Sequence, residues 1–252
     1  PLTIGHGRGA ILGDTVSNIL KWNGYIVERE YYFNNAGKQM NRLALSVYLR
    51  YCELLNRETD FPEECYQGDY IYDIAQTLLD DLSDKYLNAD DLEPIKIYAE
   101  EIIFKKINKK LKKIGITFDS FFNEKELYEN KAIYKIIEIL KDRKLAYEKD
   151  NAIWLNATKL GLKQDRVLIK SSGDPTYRLP DIAYHKNKFE RNYNIIVDVF
   201  GADHLDAYPD VLGACQTLGY VNLDGIGVCS FGKLIEEAAI SSRLWSGTNS
   251  RS

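Results

Sequence analysis

The chain has 252 residues, with 45% apolar residues for a core and 28% charged, and 33 Lys and Arg against 37 Asp and Glu give a formal net charge of −4. That balance excludes a globally basic nucleic-acid coat but leaves room for a local basic patch, and no apolar run approaches the ~20 residues of a membrane helix. Cys52, Cys65, Cys215 and Cys229 show no C-x-x-C spacing, and His6, His185 and His204 are the only imidazoles. No zinc knuckle, thioredoxin motif, disulfide scaffold or His-rich metal site is signalled, and a reducing cytoplasm is the expected compartment.

In chain order, the Gly-rich stretch Gly5-His6-Gly7-Arg8-Gly9-Ala10 reads as a turn. Leu12, Val16, Ile19 and Leu20 follow at helical spacing, with Gly24 as the stop. Residues 25–33 are β-branched and aromatic, which predicts a strand, and Asn34-Asn35-Ala36-Gly37 a turn. Met40, Leu43, Val47, Tyr51 and Leu54 form the next helical stripe, and a mostly helical stretch is expected from about 70 to 147. Within it, Asp90, Asp91 and Pro94 mark a helix start, and Ile95, Ala99, Ile102, Ile103, Ile107 and Leu111 share one face. The acids come first and the lysines last, complementing the helix dipole. Lys105, Lys106, Lys109, Lys110, Lys112 and Lys113 are the basic end, readable as a solvated face or as a phosphate-facing patch.

After Tyr147 the pattern turns to β. Residues 152–157 and 166–170 read as strands, and Ser171-Ser172-Gly173-Asp174 as a turn. Pro180 suits a helix opening that runs to Asn192. Residues 194–200 form a nearly continuous apolar run, the signature of a buried parallel strand. A helix over about 207–218 ends at Gly219, and 226–231 is a last strand. This order predicts a Rossmann-like, doubly wound α/β sheet with a largely helical insertion. The expected division is 1–69 and 148–231 as two parts of one core, 70–147 as the insertion, and 232–252 as a partial helix and tail. The first residue is Pro1 rather than Met, and residues 241–252 are polar without periodicity. A disordered or non-native tail on a piece of a longer protein is the expectation.

The Gly-rich start admits two functional readings. Gly5, Gly7 and Ala10 satisfy G-x-G-x-x-G/A, with Glu28 and Glu30 near the place of a ribose-binding acid; this is the dinucleotide fingerprint of an NAD(P)-dependent oxidoreductase. The second reading uses more of the chain. Residues 1–14, with Thr3-Ile4-Gly5-His6 at their centre, resemble the H-I-G-H signature of class I aminoacyl-tRNA synthetases. Residues 24–40 resemble the arginyl-tRNA synthetase version. Three later blocks are similar to the same family: 147–155; Asp165-Arg166-Val167-Leu168 through Pro175-Thr176-Tyr177; and Asp181-Ile182-Ala183-Tyr184-His185 on to Gly201-Ala202-Asp203-His204.

That resemblance implies a ligase that joins the carboxylate of arginine to the α-phosphate of ATP, expels pyrophosphate, and passes arginine to its tRNA. ATP is then a substrate bringing its own Mg2+, with no structural metal, and the partners are arginine, ATP and arginine-accepting tRNA, without a membrane and with a monomer favoured. His6 is the implied catalytic donor to a phosphate, and Thr3, Gly5, Gly9 and Asp203 complete the ATP contacts, Asp203 toward the ribose hydroxyls. Thr3, Tyr177, Asp181 and His204 are implied for arginine, whose planar guanidinium pairs bidentately with a carboxylate. Lys105, Lys106, Lys109 and Lys110 are the candidate tRNA contacts.

Two positions depart from the family pattern. Thr3 stands where the first signature His is usual, keeping a hydroxyl and losing an imidazole. Asn34-Asn35 stands where Asn-Asp is typical. No K-M-S-K-S-like lysine loop occurs in the 252 residues, and after Tyr220 the similarity stops apart from Phe231-Gly232-Lys233-Leu234-Ile235-Glu236-Glu237. The family's tRNA-elbow and anticodon-binding domains are not recognisable either. The expectation is a catalytic core that is inactive by itself. A non-catalytic nucleotide- or RNA-binding module remains the other alternative beside the oxidoreductase.

Overall fold

The computed structural model describes residues 2–199, 201, 207–219 and the backbone of Ile226–Cys229. Two compact units divide the chain: residues 1–3 with 28–125, and residues 4–27 with 126–252.

The first unit is built on β1 (Glu30–Phe33), α2 (Lys38–Leu54), α3 (Asp69–Leu82), α4 (Glu93–Lys113) and β2 (Ser120–Asn123). The expected stripe of α2 is its core face: Met40, Leu43, Val47 and Tyr51 are buried against Ile71, Ile74, Ala75 and Leu78 of α3 and Ile95 and Ala99 of α4. Each such large apolar side chain contributes roughly 1.5–3 kcal/mol on burial. Gly37, with φ +81°, turns the chain into α2 in a conformation that favours glycine. β1 and β2 pair in parallel, Glu30 opposite Ser120 through Phe33 opposite Asn123. Rings hold this pair together: Tyr32 stacks on Phe122, and Phe104 of α4 packs edge-on to Phe121.

The second unit contains α1 (Ile4–Trp22), α5 (Lys125–Glu129, starting at the boundary), α6 (Ala132–Asp142), β3 (Ala146–Lys149), β4 (Ala152–Leu155), a short 3-10 turn (Ala157–Leu160), β5 (Arg166–Ile169), α7 (Arg178–Glu190), β6 (Ile196–Val199), α8 (Tyr208–Thr217) and β7 (Ile226–Cys229). β3, β4 and β5 form an antiparallel meander, and β6 and β7 pair in parallel. The core is supplied by Ile133, Ile136 and Leu140 of α6, Leu155, Leu168, Leu179, Ile182, Val211 and Ala214.

Several expectations change here. The Gly5–Ala10 stretch is not a turn before a helix but the opening turns of α1 itself; each glycine there costs about 1 kcal/mol relative to alanine, which weakens a helix without forbidding it. Ile19, one of the apolar residues at helical spacing, is 56% exposed, and α1 buries no residue fully. The strand expected over 25–33 is confined to Glu30–Phe33. β2 interrupts the stretch expected to be helical; Gly115 stops α4 with φ +80°, and Phe118, Phe121 and Phe122 follow. β3 is the first strand of a tight hairpin whose Asp150 and Asn151 both have positive φ, 54° and 56°, as the favoured two-residue hairpin turn requires. The boundaries drawn at 70 and 147 are not those of the compact units, since α2 shares its core with α3 and α4. The tail at 232–252 lies outside the described residues.

Candidate active site

α1 lies against the carboxyl end of β6: a Cβ on Gly13 would meet the Val199 side chain at 3.5 Å, an ordinary contact. In open α/β sheets, that end of a strand borders the crevice where ligands bind. Thr3 precedes the helix, and Gly5, His6 and Gly9 fall in its first two turns. Thr3, Gly5 and His6 are exposed and Gly9 is half-buried. A Cβ at Gly7 or Gly9 would have no atom within 4 Å, so both positions look onto open space. No acid occupies the first turn, and the N–H groups of a helix start carry partial positive charge toward an anion.

A second group of candidate residues lies where β5 runs into α7. Thr176 donates its N–H to the Leu168 carbonyl at 2.8 Å and its hydroxyl to the Val167 carbonyl at 2.7 Å. This fixes Tyr177 as the cap residue of α7, with Asp181 in the first turn. Tyr177 is 55% exposed, its ring 4.8 Å from the Arg178 guanidinium, and Asp181 is half-buried. Arg178 Nε donates to Asp210 Oδ2 of α8 at 2.8 Å. Arg166 Nε of β5 stands 3.0 Å from the same oxygen, as an ion pair without hydrogen-bond alignment. The Asp210 carboxylate, 4% exposed, therefore ties β5, the first residue of α7 and α8 together.

A second, mostly covered acid lies on β6, its side chain 14% exposed. Asp198 Oδ1 is ion-paired with Lys188, its Oδ2 is 3.0 Å from His185 Nε2, and it accepts from the Tyr208 hydroxyl of α8 at 3.3 Å. Burial by itself would raise the Asp198 carboxyl, but the Lys188 charge and the His185 contact override it and hold it well below the usual carboxylate range. Burial and the same carboxylate push the Tyr208 hydroxyl up, and burial pushes the Cys215 thiol up to about 12. Asp198, Lys188, Tyr208, Asp210, Arg166 and Arg178 were not among the sequence-derived candidates. The signal for the first was present: an acid in the run Ile195-Ile196-Val197-Asp198-Val199 demands a cation if that strand is covered.

Of the sequence-derived residues, Gly5, His6, Gly9, Tyr177 and Asp181 all belong to the second unit. Asp203 and His204 lie outside the described residues, as do Phe231 and Lys233. The 147–155 and 165–168 blocks have a framework role: Tyr147 OH donates to Asp165 Oδ2 at 2.8 Å, and Asp165 Oδ1 accepts from the Thr158 N–H and hydroxyl. Those hydrogen bonds, that of the Thr158 N–H foremost, hold the Asp165 carboxyl below its ordinary value against the opposing effect of burial.

In the first unit, Asn35 is 4% exposed and structural. Its amide donates to Glu100 Oε1 at 2.6 Å and to Asn123 Oδ1 at 3.3 Å, while its oxygen accepts from the Lys125 N–H at 3.2 Å. The six lysines at the end of α4, Lys105 to Lys113, are exposed. Lys105 pairs with Glu101 and Lys106 with Asp73, each at 3.5 Å. Among the described residues, no group of three His, Cys, Asp or Glu is placed to hold a metal, and no helix is long and apolar enough to cross a membrane.

Comparison with known proteins gives this arrangement its family. Residues 1–235 match the family described as tRNA synthetases class I (R), catalytic domain. The arginine–tRNA ligase of Desulfotalea psychrophila is 52% identical over 220 residues, covering 87% of this chain and 40% of that protein. That of Chlorobaculum parvum is 53% identical over 225 residues, covering 87% and 41%. A Campylobacter jejuni structure assigned as an arginyl-tRNA synthetase superposes with a TM-score of 0.83 at 32% identity, over 92% of this chain and 51% of that one. The Thermus thermophilus arginyl-tRNA synthetase shares the fold, with a TM-score of 0.65 at 16% identity. The chain spans about two-fifths of the length of the curated relatives it matches. The nicotinamide reading loses its footing, because its glycine turn is a helix here and the match runs through every block that carried the synthetase resemblance. By that match across most of its length, the chain belongs to the class I tRNA synthetases of the arginine type, as part of their Rossmann-like catalytic domain.

Proposed function

We propose that this chain is the substrate-binding core of an arginine–tRNA ligase. Within the full-length enzyme it holds ATP and arginine so that the arginine carboxylate attacks the α-phosphate, pyrophosphate leaves, and the arginyl-adenylate then yields arginine to tRNA; the 252-residue chain by itself is expected to be inactive. His6 donates a hydrogen bond to a phosphate oxygen as charge builds there. Gly5 and Gly9 let the nucleotide approach the start of α1, Thr3 contacts ATP or arginine through its hydroxyl, and Asp203 holds the ribose. Mg2+ arrives with the ATP phosphates. Asp181 pairs with the arginine guanidinium, Tyr177 packs along it, and His204 contacts the amino acid. Lys105, Lys106, Lys109 and Lys110 face the tRNA backbone. The protein works in the cytoplasm as a monomer.

The observation that carries this reading is the seating of Asp181. It is a half-buried acid in the first turn of α7, and the start of that helix is fastened to β5 through Thr176, two residues before it, and to α8 through its first residue, Arg178, paired with Asp210. A carboxylate presented from so fixed a frame suits recognition of a planar cation. The test is calorimetric titration of the 252-residue chain with L-arginine, L-lysine, ATP and NADH. Arginine should bind at least about tenfold tighter than lysine, whose point charge cannot pair bidentately, and ATP tighter than NADH. Binding of NADH alone, or indifference between arginine and lysine, refutes the reading.

A further inference from the structure

On α7, residues 177, 181, 185 and 188 follow at intervals of four, four and three, so they share one helix face. Exposure falls along that face: Tyr177 is 55% exposed, Asp181 half-buried, and His185 and Lys188 only 5% each. The open end carries the residues assigned to arginine. The buried end meets Asp198 on β6, the strand that leads into Gly201. The two ends are joined. His185 Nδ1 donates to the backbone carbonyl of Asp181 at 2.8 Å, and its Nε2 lies 3.0 Å from Asp198 Oδ2 and 3.3 Å from Lys188 Nζ. Tyr208 of α8 closes the set on the same Asp198 oxygen at 3.3 Å.

A buried ion pair is a weak source of stability, and replacing both partners by neutral groups of similar volume is often neutral or stabilising. Such a pair does fix geometry, because its partners tolerate little displacement in a low-dielectric interior. We propose that Lys188 and His185 are positioning residues: through Asp198 they set where Asp181 stands relative to the carboxyl end of β6, and so set the affinity for the arginine guanidinium. This rests on the reading of Asp181 as the arginine carboxylate.

The experiment compares the unaltered chain with Lys188→Met/Asp198→Asn, His185→Asn and Lys188→Arg. Far-UV dichroism checks the fold, and calorimetry gives L-arginine and ATP affinities. The double variant should stay folded and bind arginine about tenfold or more weakly, since small misplacements at a binding centre have effects of that size or larger, while ATP affinity stays within about twofold. His185→Asn keeps a donor near the Asp181 carbonyl but cannot reach Asp198, and should lose arginine affinity in the same way. Lys188→Arg keeps the charge and should restore most of it. A folded double variant with unaltered arginine affinity overturns the proposal. If the double variant does not fold, His185→Asn decides by the same criterion. Failure of the unaltered chain to bind arginine removes the Asp181 reading, and this proposal with it, a result distinct from unaltered affinity in a folded variant.

Discussion

Asn35 stands where the family's acid is typical, and the structure supplies a reason why an acid is excluded here. Asn35→Asp would be nearly isosteric, but it would convert the donor facing Glu100 Oε1 at 2.6 Å into a second carboxylate. At an effective dielectric of ~20, two unit charges at that distance repel by about 6 kcal/mol. Proton uptake limits the loss. With an ordinary aspartate value of ~3.9, sharing one proton between the two groups at pH 7 costs about 1.36 × 3.1, or ~4 kcal/mol. Lys125 Nζ, 3.8 Å from Glu100, relieves part of it. The expected destabilisation is therefore about 3–4 kcal/mol at pH 7. The sign with pH follows from the raised folded-state value: the folded variant binds a proton more tightly than the unfolded chain, so its stability relative to the parent falls as pH rises from ~4 toward 7. Urea denaturation followed by dichroism at pH 4.5, 6 and 7.5 measures this. Adding Glu100→Gln should recover most of the loss, because it replaces one carboxylate with an amide donor. A loss of equal size at all three pH values, or no recovery in the double variant, would refute the argument.

Three further outcomes are expected. Asp181→Asn should weaken L-arginine binding by about tenfold or more while leaving ATP binding within about twofold, since only a charged carboxylate pairs with both guanidinium N–H groups; equal loss of both would make Asp181 structural. Replacing Lys109 and Lys110 with alanine should flatten the salt dependence of tRNA binding by about 0.7–0.9 in log–log slope per lysine; an unchanged slope returns this end of α4 to a solvated face. Asp198, depressed in the folded state, contributes stability that is present above its unfolded value of ~4 and is lost as pH falls below it; in Asp198→Asn this acid-induced loss should shrink, while stability at pH 7 drops by about 3–5 kcal/mol because Lys188 is left buried without its partner.

The helices were legible because their apolar stripes are regular: α2 and α4 sit on the faces their spacing predicts. β2 was not legible because four residues carry no measurable period, and its Phe121 and Phe122 are held by ring partners on α4 and β1 that are distant in sequence. The α1 stripe was legible but its burial was not, since periodicity reports a face and not what covers it. At the site, Tyr177 and Asp181 came from resemblance, and spacing alone would have assigned them to a strand and a helix dipole. Arg166, Arg178 and Asp210 could not be paired in advance, because they meet only through three elements that are distant in sequence.

These two acids explain how α7 holds its position. Asp210 on α8 takes Arg178, the first residue of the helix, and Asp198 on β6 takes Lys188, near its last turn. Each carboxylate costs free energy to bury and is stable only where a cation reaches it, so the pairs resist sliding or rotation of α7 at both ends. Asp181 lies between the two anchors. A helix fixed at one end would let its first-turn acid swing with the loop before it, but a helix fixed at both ends presents that acid at one place. A guanidinium is recognised by direction as well as by charge, so on the proposed reading of Asp181 this double anchoring would hold its carboxylate in the one direction that arginine needs.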